Sequence, residues 1–217
     1  YIIGAAQNTI IKTDSVGVEG WHRKLSYSVH HYVEDVIQTS DGDYIVVGGA
    51  GGDPLGGHAI QGKAFILRMS EGGGVQWIKR YGIIDTPNNT FWGVVEADDG
   101  GFVLAGEKLQ DRNFEFYDHF WVMKTDAYGD EEWSIESGGN LWDEAQDIVK
   151  LSDDSYIVTG KTSLSSTNLN MKVMRVSSSG QILWQNNHGG GNNDTGTGIT
   201  LSQNEEMVAI VGYTRSS

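Results

Sequence analysis

An all-β chain assembled from repeated four-stranded sheets is what the sequence predicts, and three observations carry the prediction. A ten-residue unit recurs four times without a slip, at residues 12–21, 68–77, 124–133 and 175–184. Its copies end at Trp21, Trp77, Trp133 and Trp184, spaced 56, 56 and 51 residues apart, the period of a blade or solenoid unit. Between the copies, short apolar runs alternate with Asp/Gly/Ser turns, and no 3.6-residue period is found.

Each copy reads as a β-hairpin. A basic residue (Lys12, Arg68, Lys124, Arg175) closes an apolar strand, Asp or Ser follows two positions later, Gly five later and Trp nine later. Asp14, Ser70, Asp126 and Ser177 are suited to accept backbone N–H bonds at the turn. Gly17, Gly73, Gly129 and Gly180 supply the positive φ that closes it. A Trp at one fixed register is large enough to plug the gap between neighbouring sheets, burying on the order of 200 Å². Fourfold recurrence favours packing over sugar stacking for these four indoles. It likewise places the four basic residues beside a carboxylate or backbone carbonyls of their own blade.

The rest of each repeat follows in order. Glycines five residues after the Trp (Gly82, Gly138, Gly189) mark a break between sheets. A short strand rich in small residues comes next, at 33–37, 91–95, 145–149 and 196–201. Turns such as Ser40-Asp41-Gly42-Asp43 and Asp98-Asp99-Gly100-Gly101 lead into the most apolar strand, for example Tyr156-Ile157-Val158-Thr159-Gly160. The expected boundaries are 1–26, 27–82, 83–138, 139–190 and 191–217, giving 17 strands in one domain. Four-stranded units of this length repeated around an axis describe a β-propeller of about four blades, or an arc of a larger one. A chain that starts at Tyr1 rather than Met reads as a mature or excised piece, part of a longer chain or assembly.

Bulk properties narrow the function classes. A net charge of −14 argues against nucleic acid, whose phosphates call for a basic surface, and against anionic membranes. No run of 18 apolar residues predicts membrane insertion. With Cys at 0, disulfides, thiolate metal sites and thiol nucleophiles are excluded together.

Trp133, Gly138, Gly139, Asp143, Glu144, Ala145, Asp147, Ile148, Asp153, Tyr156, Ile157 and Gly160 together resemble the repeat of secreted and cell-surface bacterial and archaeal propellers. That pattern is W-x-K-x-x-G-G, D-x-A-x-x-I, D-G-G-Y-I-x-x-G, then K-x-D-x-x-G. The Asp–Gly–Trp portion is also similar to the tryptophan-docking motif of pyrroloquinoline-quinone propellers, whose Asp-to-Gly spacing is one residue longer. The vicinal cysteines many of those proteins use are missing. Kelch repeats share a Gly-Gly after an apolar strand, which only Gly48-Gly49 provides. The resemblance implies an extracellular or cell-surface protein and says little of activity.

Candidate sites are sparse. Asp41 and Asp43 could offer oxygens to Ca²⁺, but no EF-hand loop is formed, so the expectation is no cofactor with Ca²⁺ as the alternative. The stretch 110–119 before the third copy mixes Phe114, Phe116 and Tyr117 with Asp118 and His119. As a loop on the rim it would contact a glycan or protein; the competing expectation is that its aromatics cap a neighbouring core. No nucleophile–base set emerges, so the expected role is a non-enzymatic binding or scaffolding module recognising protein or glycan. Two alternatives stand beside it. One is a glycan hydrolase or lyase using axial carboxylates, with Glu34, Asp35 and Asp147 as the inner-strand candidates. The other is a structural repeat of a filament or surface layer.

Overall fold

The computed structural model describes residues 2–5, 9–25, 31–50, 63–82, 89–112, 115–139 and 141–215. All described elements are β-strands, and they pair antiparallel. Contacts group the chain into two units, residues 1–91 and 92–217.

In the first unit, β1 (Ile2–Ala5), β2 (Thr9–Thr13) and β3 (Glu19–Lys24) form a three-stranded sheet. β4 (His31–Gln38), β5 (Tyr44–Ala50), β6 (Lys63–Met69) and β7 (Val75–Tyr81) follow one another as antiparallel neighbours. Ile10, Leu25, Tyr44, Val46, Phe65, Leu67 and Met69 make the core between them.

The second unit continues from β8 (Thr90–Glu96), whose first two residues belong to the first unit. β8 runs beside β9 (Phe102–Arg112), β10 (Glu115–Thr125) and β11 (Glu131–Ser137). β12 (Glu144–Lys150), β13 (Tyr156–Ser165), β14 (Asn168–Val176) and β15 (Ile182–His188) form the next sheet, and β16 (Asp194–Leu201) pairs β17 (Val208–Thr214). One core lies between β9–β10 and β12–β14, built on Val103, Ala105, Phe120, Val122, Tyr156, Val158 and Met174. A second gathers Leu151, Ile157 and Val173 against Ile199 and Ile210.

The turn chemistry follows the residues. Asp14 Oδ1 accepts the amides of Val16 and Val18 at 2.9 Å, and Asp126 Oδ1 does the same for Tyr128 and Asp130. Ser70 and Ser177 use their hydroxyl oxygens for the amides of Gly74 and Gln181. All four motif glycines have φ between 80° and 85°. Three basic residues meet carboxylates of their own sheet. Arg68 holds Asp41 and Asp43, Lys124 holds Asp99 and Glu132, and Arg175 holds Asp153. Lys12 instead reaches Glu71 in the turn of the following repeat, at 3.3 Å.

The tryptophans differ from the expectation of a uniform plug. Trp21 donates its indole N–H to Glu71 O at 3.0 Å, and Trp133 donates to Ser178 O at 2.9 Å. Each indole lies on the turn glycine of the next repeat, Gly73 or Gly180. Both are half-buried at the border of a core, because the indole N–H must reach a turn carbonyl that lies near water. Trp184 is 38% exposed. The fully enclosed indole is Trp121, on β10 three residues before the motif's Lys124. Trp133→Phe should keep the packing and lose the bond to Ser178, costing about 1 kcal/mol in chemical denaturation. An unchanged midpoint would show that the bond contributes nothing.

Candidate functional site

Residues 110–119, expected as a rim loop, extend the hairpin β9–β10, with Glu115 opposite Arg112 and Asp118 opposite Leu109. The strand period then divides the candidates. Tyr117 and His119 point to one face, while Asp118 points to the other. Phe114 lies outside the described residues, as does the side chain of Phe116. His119 is buried at 6% exposure rather than presented to a partner.

Asp118 joins a group the sequence did not suggest. Glu107 on β9 shares its face, and Glu144 at the start of β12 and Lys161 on β13 complete the cluster. Glu107 and Glu144 are each 8% exposed. The Lys161 ammonium lies 2.5 Å from Glu144. Burial, then the charges of Glu144 and Asp118, raise the Glu107 carboxyl far above the usual range. Glu107 is therefore the protonated member at neutral pH and donates to Glu144. Burial first, and Glu144 second, push Asp118 up to about 6. Burial works against the Lys161 charge, yet the Glu144 carboxylate outweighs it and holds that ammonium's pKa above its usual value.

Next to this cluster the break between sheets is clasped by one carboxylate. Asp143, fully buried, accepts from Gly139 N at 3.0 Å, Ser163 N at 3.1 Å and the Thr162 hydroxyl. Asp194 repeats the arrangement with Gly190 N and the Thr214 hydroxyl. Asn89 stands against Gly82 at the same place in the first unit.

A cleft of about 420 Å³ opens beside the Asp143 clasp, between Ser137–Gly139 on one side and Thr162, Lys172, Gln185, Asn186 and Asn187 on the other. Its volume falls in the range of small-ligand pockets. Trp142 is 55% exposed, its backbone N–H and C=O both bonded to the hydroxyl of Ser163, which follows Thr162 of the cleft lining in sequence.

The inner-strand candidates take structural roles. Asp147 accepts from Ile148 N and, across to the next sheet, from Ile199 N, both at 2.8 Å. Asp35 accepts from Val36 N. Burial raises the Glu34 carboxyl, and Glu34 sits at a β-bulge between Val33 and Asp35. Asp41 and Asp43, the Ca²⁺ candidates, direct their oxygens to Arg68. Among the described residues no group of three or more His, Asp or Glu has metal-binding geometry.

One signal in the sequence points toward the acid–base cluster. The position directly after the recurring strand glycine holds Gly49, Glu107, Lys161 and Tyr213. Its chemistry varies inside a frame that otherwise repeats.

No family model matches the chain, and no curated protein matches it. Among solved structures it is similar to a protein of unknown function from Bacteroides caccae, with a TM-score of 0.55 and 14% identity over 94% of this chain. The chain spans 61% of that protein's length. The likeness is one of fold.

Proposed function

We propose that the chain is a non-enzymatic binding module that recognises a glycan, built as a β-propeller or an arc of one. The strand order supports the architecture: β4–β7, β8–β11 and β12–β15 are each a run of antiparallel neighbours in chain order, the first two joined in one eight-stranded sheet, with Trp21 and Trp133 each seated on the turn glycine of the repeat that follows. The observation that carries the glycan reading is the amide-lined cleft, with the exposed Trp142 tied through its backbone to Ser163, the neighbour of Thr162 in the cleft lining. A flat indole stacks on the apolar face of a pyranose, while Gln185 and Asn187 match the alternation of donors and acceptors on sugar hydroxyls. A module of this kind works outside the cell or at its surface.

The test is a glycan array read with the wild-type chain and with Trp142→Ala. Signal on a defined set of glycans, lost in the variant, supports the reading. No signal on any glycan, or equal signal from the variant, overturns it.

A second reading rests on Glu107, a neutral carboxylic acid beside the Glu144 carboxylate, which is a proton donor and acceptor in one place. Under this reading the chain is a glycan hydrolase or lyase with Glu107 as the acid. Turnover of an array-positive glycan that disappears in Glu107→Gln would replace the binding reading with this one.

A further inference from the structure

We infer that the cleft beside the Asp143 clasp receives the carboxylate of an acidic sugar, with Lys172 as its counter-charge; this rests on the glycan reading above.

Lys172 occupies a register that the other repeats fill without charge. Three residues before the motif's basic residue stand Thr9, Phe65 and Trp121, and the two aromatic residues are 0% and 1% exposed. The sheet frame therefore has no need of an ammonium here, and placing one costs desolvation. Lys172 is 4% exposed. Its ammonium donates to Ser137 Oγ at 2.6 Å and stands 4.9 Å from the centre of the Phe120 ring. Among the described residues no carboxylate comes within ion-pair distance of it, whereas three of the four motif basic residues are paired in their own sheets. Burial lowers the pKa of this ammonium; Asp143 offsets part of that from farther off, but its oxygens are already bonded to Gly139, Thr162 and Ser163. An ammonium has three N–H donors, and the hydroxyl of Ser137 takes one.

The cleft supplies the remaining chemistry. Asn187 pairs with Lys172 across β14–β15, and Gln185 pairs with Met174, so both amides share the face of the ammonium. Ser137 adds a hydroxyl from the opposing wall, and Thr162 on β13 lines the same side as the ammonium. One buried cation ringed by amides and hydroxyls suits a ligand with one negative group and several hydroxyls, which is a uronic-acid type of sugar. A charge-assisted bond sheltered from water gives that carboxylate its discrimination over a neutral hexose.

Calorimetric titration decides it, with D-glucuronate and D-galacturonate as ligands and D-glucose and acetate as controls. Expected is uronate binding at least about tenfold tighter than either control, reduced about tenfold or more by Lys172→Met. Methionine fills the same volume, and replacing a buried charge with an apolar residue of similar size is commonly tolerated. Should that variant not fold, Asn187→Asp on the exposed strand β15 decides instead. Its added negative charge should weaken uronate binding by a clearly larger factor than glucose binding. Equal affinity for uronate and glucose overturns the inference while the glycan reading stands. Acetate binding as tight as uronate overturns the sugar assignment. Uronate binding untouched by Lys172→Met, or by Asn187→Asp, also overturns the inference. Absence of binding to any sugar here and on the array defeats both readings.

Discussion

Gly180→Val should destabilise the second unit by about 3 kcal/mol and lower its melting temperature by roughly 10 °C. Two costs combine. Gly180 has φ of +80°, a conformation that penalises a β-branched residue by about 1–2 kcal/mol. A Cβ at this position would come within 2.8 Å of the Trp133 ring, so the indole must leave the turn and surrender its bond to Ser178 O. Gly17→Val separates the two, because Gly17 has φ of +85° but nothing within 4 Å of its Cβ position. Only the backbone cost should appear there. Equal losses at the two sites would show that the indole contact contributes nothing.

Glu107→Gln should remove a fall in stability that the wild type suffers as pH rises. The ordinary carboxyl value is 4.5, and burial beside Glu144 and Asp118 raises that of Glu107 well beyond it. Between those two values the folded chain keeps a proton that the unfolded chain has lost, so stability decreases as pH climbs through that window. Asp118, raised from 3.8 to about 6, acts in the same direction at lower pH. Denaturation measured from pH 6.5 to 9 therefore isolates Glu107. Glutamine keeps the shape and the hydrogen-bond donor without a charge to lose. The variant should hold its stability over this range and exceed the wild type at pH 9 by about 2 kcal/mol, since each tenfold difference in proton affinity between the folded and unfolded chains is worth about 1.4 kcal/mol. Parallel curves for the two proteins would refute the assignment of the proton to Glu107.

The architecture is legible in the sequence because its signals are local and repeat. Asp14, Ser70, Asp126 and Ser177 cap their turns as their side chains dictate, and Gly17, Gly73, Gly129 and Gly180 adopt the backbone that only glycine takes cheaply. The stretch 110–119 reads as a loop in the sequence because Asp111 and Asn113 are turn formers, and they outweigh the alternation of Phe114-Glu115-Phe116. Most of the candidate site is hidden from such reading. Glu107, Asp118, Glu144 and Lys161 come from four different strands, and one sequence carries no record of which strands face each other. Asp118 stands out in the sequence as a residue exposed to a partner, whereas its importance lies in burial beside like charge. Lys172 looks like an ordinary strand residue. Its oddity emerges only on aligning it with Phe65 and Trp121 and learning that both are enclosed.

The seating of Trp21 and Trp133 on the glycine turn that follows each of them gives the molecule a sense of direction. A lesion at one turn therefore harms the sheet upstream, which loses its latch, in addition to its own hairpin. Gly180 thus guards Trp133 as well as its own hairpin. Any exchange of repeats between such chains should therefore be cut so that an indole travels together with its receiving turn.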